Sequence, residues 1–290
     1  MYNYLRFPNF RLKALTLSYD DAPIFDRRLI EIMSAHGLRG TFNINSSRIP
    51  DVTDPNRRNL TPEEAVALVL ESGNEIAVHG AHHLHLSGIP MVHAMRDVVD
   101  DRIALERMCG TPIRGMAYAY GAYNDAVVEM LAKAGIRYSR TTHSTEKFDL
   151  PTDWLRLPAT CHHDNPRLMA LCDQFLAIED KGLWHTIPRL FYLWGHSYEF
   201  NDKNNWHVIE EFCDYMGGRE SEIWYATNIE IYEYIEDFNH LIFSADGDIV
   251  KNPTARTLWF DFEGQSYSIA AGESFRISDR RDPNVKGYWV

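Results

Sequence analysis

Long apolar runs are missing from this sequence: no stretch of about 18 apolar residues occurs, so no membrane-spanning helix is expected. Basic charge is in short supply. Lys and Arg number 29 against 41 Asp and Glu, a formal net charge of −12. Nucleic acid and anionic membranes are therefore poor partners, since both need a basic footprint. Cysteine is sparse too. Cys109, Cys161, Cys172 and Cys213 are scattered with no CxxC spacing, which reads as free buried thiols rather than a disulfide framework or a metal-ligand set. The N-terminal stretch Met1-Tyr2-Asn3-Tyr4-Leu5-Arg6 has no apolar h-region, so the expectation is a cytoplasmic protein. A secreted protein with its signal trimmed would look the same. Internal repeats and low-complexity segments are also absent.

What is present is enough apolar material for a real core: 45 % hydrophobic and 12 % aromatic residues in 290. Strand-like and helix-like stretches alternate. Lys13 to Ser18 alternates and stops at Asp20-Asp21, as a buried strand does. Ile24 to His36 has a broad apolar helical face with Gly37 just past its end. Thr41 to Asn45 reads as a strand, and Thr61-Pro62-Glu63-Glu64 as a capped helix start. Asn74 to Val78, Ile113 to Tyr118, Ile136 to Arg140, Leu155 to Leu157, Arg189 to Trp194 and Ile223 to Ala226 read as further strands. Helices are expected over Met91–Cys109, Asn124–Ala134, Pro166–Ile178 and Trp206–Met216, and from Thr227 to about Asn239. Such alternation predicts βαβ units and a mostly parallel sheet, open or closed into a barrel. From Leu241 the pattern changes to turns and a hairpin (Thr257–Phe262, Gln265–Ile269). We therefore expect residues 1–240 to form the α/β part and residues 241–290 a small β appendage packed on it.

Chemistry-bearing residues cluster at the expected C-terminal ends of these strands, where parallel α/β folds keep their sites. Four histidines (His79, His82, His83 and His85) fall within seven residues after the third strand. Imidazole is the commonest protein ligand for transition metals, and a carboxylate would complete a site with open positions. Asp20-Asp21 ends the first strand. We expect the two stretches to meet, holding one metal ion and one general base. His79 with His83 is the favoured imidazole pair, although His82 or His85 is open as the second ligand. The pair His162-His163 is expected in an exposed loop.

Five segments together resemble the polysaccharide deacetylase family (NodB homology). Ser18-Tyr19-Asp20-Asp21-Ala22 resembles its T-F-D-D-G motif, and His79-Gly80-Ala81-His82-His83 its H-[ST]-x-x-H. Tyr118-Ala119-Tyr120-Gly121-Ala122-Tyr123-Asn124 resembles the motif containing P-Y-G-x-Y-N. Asp153-Trp154 and Leu193-Trp194-Gly195-His196 resemble the fourth and fifth motifs. The resemblance implies a distorted (β/α) barrel and a divalent metal, most often zinc, held by Asp21, His79 and His83. It further implies Asp20 as general base, His196 as general acid, and removal of acetyl groups from N- or O-acetylated sugars. Chemically, the Tyr120 N–H is a candidate oxyanion donor. Trp154, Trp194, Tyr198 and Glu199 are candidate substrate contacts, although the two tryptophans fit barrel packing at the border of the site better and Glu199 fits a supporting role as well as a direct one. The chain departs from the family where an Arg should open the third motif: Ala117 stands there, with Arg114, Arg140 or Arg156 as possible substitutes. Two alternatives stay open: hydrolysis of another C–N bond, as in a cyclic amide or ureide, and a non-catalytic carbohydrate-binding relative.

Overall fold

The computed structural model describes residues 5–50, 57–179 and 187–285. The first four residues of the N-terminal stretch and residues 286–290 of the expected appendage lie outside these. Strand β1 (Leu5–Arg6) precedes β2 (Lys13–Asp20), helix α1 (Asp26–Ala35) and β3 (Gly40–Ile44). Then come α2 (Pro62–Ala65), β4 (Glu75–Val78), α3 (Met91–Cys109), β5 (Gly115–Ala117), α4 (Asp125–Lys133) and β6 (Tyr138–Ser144). β7 (Leu157–Ala159), β8 (Cys161–His162), α5 (Leu168–Leu176) and β9 (Arg189–Gly195) follow. The last helices of this part are α6 (Ser197–Asp202), α7 (His207–Met216) and α8 (Asn228–Asn239), with β10 (Ile223–Tyr225) before α8.

All pairings among β2–β10 are parallel, in the order β7-β6-β5-β4-β3-β2-β9-β8. The two ends of that order are neighbours in the chain. β7 pairs with β6 and β8 pairs with β9, so residues 157–162 stitch the sheet into a ring. The fold is thus the expected α/β barrel, and a distorted one. β2 gives the upper part of one edge to β3 (Leu17↔Gly40 through Asp20↔Asn43) and the lower part to β10 (Lys13↔Ile223). One expected strand is shifted: Trp154–Arg156 is a 3-10 turn, and the strand begins at Leu157. The Asp153 side chain caps that turn by accepting from the Leu155 N–H at 3.0 Å, which holds the residues before Leu157 out of the ladder.

Helix α8 opens with a capping box, in which Thr227 and Glu230 satisfy each other's backbone N–H groups. Its first residue enters the lower mouth of the barrel. The Asn228 N–H donates to Thr41 Oγ1 at 3.0 Å, and its amide donates to the Tyr192 hydroxyl at 2.6 Å. The Ile229 N–H and the Tyr138 hydroxyl both donate to Glu75, at 2.9 and 2.6 Å. The plug closes the barrel floor and leaves the opposite mouth for chemistry. It also buries a carboxyl group, and burial pushes Glu75 up to about 7. A carboxyl whose folded pKa is raised contributes stability that is whole below its unfolded value of about 4.3, and loses it as pH rises through about 7. In chelator, stability should therefore fall by about 3 kcal/mol more in wild type than in Glu75→Gln between pH 4.5 and 8. Urea denaturation at stepped pH reads this difference, and parallel curves for the two proteins would refute it.

Beyond α8 the strands become antiparallel: β11 (Ile242–Phe243), β12 (Ile249–Lys251), β13 (Leu258–Phe262), β14 (Gln265–Ile269) and β15 (Ser274–Arg276), then the short helix α9 (Ile277–Arg280). β13 and β14 form a hairpin whose turn residues Glu263 and Gly264 both have positive φ (44° and 92°), as a two-residue turn between twisted strands requires. β1 adds to this hairpin through Leu5↔Phe260, so the chain's N-terminal strand joins the C-terminal one. Leu5, Phe7, Tyr234, Leu258 and Phe260 are buried together against α8. Among the described residues, no helix is long and apolar enough to cross a membrane.

Candidate metal centre and active site

Asp20 is the last residue of β2, His79 follows the last residue of β4, and His196 follows the last residue of β9. Parallel strands in a ring bring these ends together. His79 Nε2 lies 3.9 Å from Asp21 Oδ1, and His83 Nε2 lies 3.6 Å from the same oxygen. Asp21, His79 and His83 form a group of donor atoms all within 4.8 Å of one another. Of the open alternatives, His83 is the ring the structure brings to Asp21 and His79. His82 turns outward and bonds Asp97 at 2.7 Å, while His85 stacks on Tyr120 at 4.1 Å.

The loop is shaped to do this. Gly80 has φ 78°, and a Cβ there would meet Asp97 Oδ2 at 2.7 Å. That accounts for glycine where the resembling motif has Ser or Thr. Two carboxylates one turn apart on α3, both buried, hold the loop from below. Asp101 accepts from the His79 N–H at 3.0 Å, and Asp97 accepts from the His82 N–H at 3.0 Å. The Asn45 amide donates to the carbonyls of His79 and Gly80, at 2.9 and 2.7 Å. Neither Asp97 nor Asp101 was singled out from the sequence. The available signal was their i,i+4 spacing on one face of a predicted helix.

These residues fit a divalent ion. His79 Nδ1 donates to the Ala117 carbonyl at 2.9 Å, which leaves the Nε2 lone pair directed at the carboxylates. Burial, with His79 beside it, holds His83 well below its ordinary value, so its ring presents a neutral nitrogen. Asp21 Oδ1 is buried yet accepts no hydrogen bond. The Arg48 guanidinium stands 3.6 Å from it, too far to donate, and a buried acceptor without a donor is what a bound cation would satisfy. An Asp-His-His set suits zinc-class ions and leaves coordination positions open.

Asp20 has a different environment. Its carboxylate accepts from the Arg140 guanidinium, and from the Asn43 amide at 2.9 Å. Its Oδ2 stands 3.8 Å from both His79 Nε2 and His196 Nε2. Burial works against ionisation here, but Arg140, His79 and His196 outweigh it and hold the carboxyl at about 2. Of the three arginines left open by the sequence, Arg140 thus pairs with Asp20. Arg114 pairs with Glu233, and Arg156 with Asp125 and Asp153. Arg140 is itself fully buried, with its guanidinium 4.4 Å above the Trp194 ring.

On the other side, His196 Nδ1 is 2.8 Å from Glu199 Oε1. Burial would favour the neutral imidazole, but Glu199 and then Asp20 raise its pKa. Glu199 also takes contacts from His162 and His163, and despite its burial it stays far below the usual carboxylate range. Tyr198 is half-buried, with its ring 5.0 Å from that of His196. It lines a cavity of about 610 Å³ together with Asp21, Phe25, Arg48, Arg58 and Asn59. Tyr120 is exposed, has φ 57°, and sets its ring edge-on to His83 at 4.4 Å.

Both tryptophans take the packing role, and one sequence expectation, the exposed loop at His162-His163, is corrected. Trp154 packs edge-on against Tyr232 of α8 and makes no ring contact with the site residues, because the turn before β7 directs it there. Trp194 is 9 % exposed and lies beneath Arg140, so its faces serve the protein and are not a platform for sugar. His162-His163 is no exposed loop. His163 is 1 % exposed and stacks between Tyr19 and Phe200, at 5.8 and 4.1 Å, because β8 carries it into the barrel wall.

The sequence profile described as polysaccharide deacetylase matches residues 8–139, a span that contains the first three motifs. The resemblance read from the motifs is supported. No curated protein matches the chain. Among solved structures, a deacetylase from Streptococcus pyogenes in complex with acetate is 18 % identical with a TM-score of 0.43. That alignment covers 49 % of this chain and 62 % of that one, so this chain spans less than two thirds of it. A family 4 carbohydrate esterase from Streptomyces lividans, also in complex with acetate, is 16 % identical over 71 % of this chain and 89 % of that one, TM-score 0.47. A family pseudoenzyme from Bacillus anthracis is 13 % identical over 79 % and 68 %, TM-score 0.47.

Proposed function

We propose that this chain, a member of the polysaccharide deacetylase family over residues 8–139, is a metal-dependent hydrolase that removes acetyl groups from an N- or O-acetylated sugar. The observation that carries this reading is the division of labour between adjacent aspartates. Asp20 is held by Arg140, whereas Asp21 keeps a buried oxygen without a donor beside two imidazole nitrogens. Asp21, His79 and His83 would hold the ion. Once bound, it would supply Lewis acidity and lower the pKa of a water.

The remaining work falls to the chain. Asp20, ionised and fixed by Arg140 and Asn43, accepts the proton of the attacking water. His196 stands across from it and gives a proton to the departing nitrogen or oxygen. Glu199 fixes the ring of His196 by accepting at Nδ1, so that Nε2 faces the substrate. The Tyr120 N–H is the candidate donor to the developing oxyanion. Tyr198 and Glu199 border the cleft, and Tyr198 offers a ring face to sugar.

The test is acetate release from N-acetylated and O-acetylated sugars and oligosaccharides by zinc-loaded and chelator-treated protein. A cyclic amide and a ureide belong in the same panel. We expect release from an acetylated carbohydrate, its loss on chelation and its return with zinc. Turnover that survives chelation, or no release from any acetylated sugar, would reject the reading.

A further inference from the structure

A second group of side chains of metal-ligating type lies beside the site just described and shares Glu199 with it. We propose that His162, His163, Asp164 and Glu199 form a separate site for a zinc-class divalent cation, which the Lys203 ammonium contests. The inference does not depend on the deacetylase reading.

The argument begins with spacing. Ligands at 2.0–2.1 Å around a tetrahedral ion stand about 3.3 Å apart. In this cluster His163 Nε2 is 3.2 Å from Glu199 Oε2 and 3.5 Å from Asp164 Oδ1, and His162 Nε2 is 3.6 Å from Glu199 Oε1. One atom from each of the four residues falls within 4.8 Å of all the others. The edges are as short as those of the Asp21-His79-His83 group, at 3.6 and 3.9 Å. Two imidazoles with two carboxylates is a donor set that suits zinc better than calcium or magnesium, which favour all-oxygen sites.

The second observation is the ammonium. Lys203 Nζ lies 3.1 Å from Glu199 Oε2 and also bonds Asp164. A cation is thus already drawn to the same two carboxylates. The Lys203 side chain is 48 % exposed and belongs to the chain just past α6, so it can leave for water without moving the backbone. His163 cannot leave. His163 is packed between Tyr19 and Phe200, and Gly195 fits so closely that a Cβ there would come within 2.0 Å of the ring. A rigid imidazole at His163, with His162 edge-on to Trp194 at 4.6 Å, beside a removable monovalent cation is a site prepared for exchange. Glu199 Oε1 also accepts from His196, so an ion bound here shares that carboxylate with the neighbouring histidine.

The experiment counts zinc. Full-length protein is dialysed against buffered zinc and its metal content measured, with the fold checked by circular dichroism. Wild type should take up two ions. His83→Ala, or Asp21→Asn should the first variant fold poorly, should keep one. In that background His162→Gln or Asp164→Asn should weaken the remaining ion by about 10- to 100-fold. Lys203→Met should tighten it about tenfold, since a competing charge is gone. The proposal fails if wild type holds one ion and His83→Ala holds none even with Lys203→Met. It fails equally if the remaining ion is indifferent to both His162→Gln and Asp164→Asn.

Discussion

Arg140→Met is expected to cost about 3–5 kcal/mol of stability and to abolish acetate release. The reason is burial. Arg140 is 0 % exposed and Asp20 is 3 % exposed, so the pair has surrendered its hydration for one ion pair, a cation–π contact and a bond from Asn43. Removing only the cation leaves a carboxylate in a water-poor pocket with the Asn43 amide and two histidines, 3.8 Å away, as its remaining company. Removing both charges is another matter. Asp20→Leu with Arg140→Met should recover to within about 1–2 kcal/mol of wild type, because a buried ion pair is worth little more than a well-packed apolar pair. Urea denaturation of the four proteins in chelator closes the cycle. A coupling energy near zero would mean that the two side chains do not depend on each other. Arg140→Lys should fall between, since an ammonium keeps the charge but cannot reproduce the planar guanidinium that lies over Trp194 while one of its nitrogens meets the carboxylate.

The same pair marks the boundary of what could be read in advance. Asp20-Asp21 and His79/His83 are legible because each couple is local in sequence, and each sits where a strand must end. The capping boxes at Thr61 and Thr227 are legible for the same reason. Arg140 comes from 120 residues beyond Asp20. Its only local sign was an arginine at the end of a predicted buried strand, a position that needs a carboxylate partner somewhere. Sequence could not choose it from Arg114 and Arg156, because that choice depends on which strand neighbours which. His163 was misjudged for a related reason. A His-His-Asp run looks like a polar loop, and only closure of the ring through β7 and β8 places that ring against Tyr19 and Phe200. Trp154 is ambiguous in the opposite sense: its motif suggests substrate and its ring suggests packing, and the turn around Asp153 directs the ring toward Tyr232.

The second large effect is expected at His83, and its sign differs between metal-free and metal-loaded protein. The cradle is strained: Asp21, Ala22 and His83 have φ of 76°, 48° and 56°, a region that side chains with a Cβ occupy at a cost of about 1–3 kcal/mol each. Asp21 Oδ1 adds the cost of a buried acceptor without a donor. Apart from the Arg48 guanidinium 3.6 Å from that oxygen, little here offsets these costs in a metal-free protein, whereas a bound ion would. His83→Asn places at φ 56° a residue that tolerates it better, and it removes a ring that burial keeps uncharged. In chelator this variant should match wild type or exceed it by about 0.5–1 kcal/mol. With zinc at a thousand times its dissociation constant the order should invert. Wild type gains about 4 kcal/mol from this ion by mass action, and the variant forgoes that gain. Thermal melts of both proteins with and without zinc read all four corners. If zinc stabilises His83→Asn as much as wild type, His83 holds no ion; if His83→Asn is destabilised in chelator as well, the left-handed cradle is structural and was never strained on the metal's behalf.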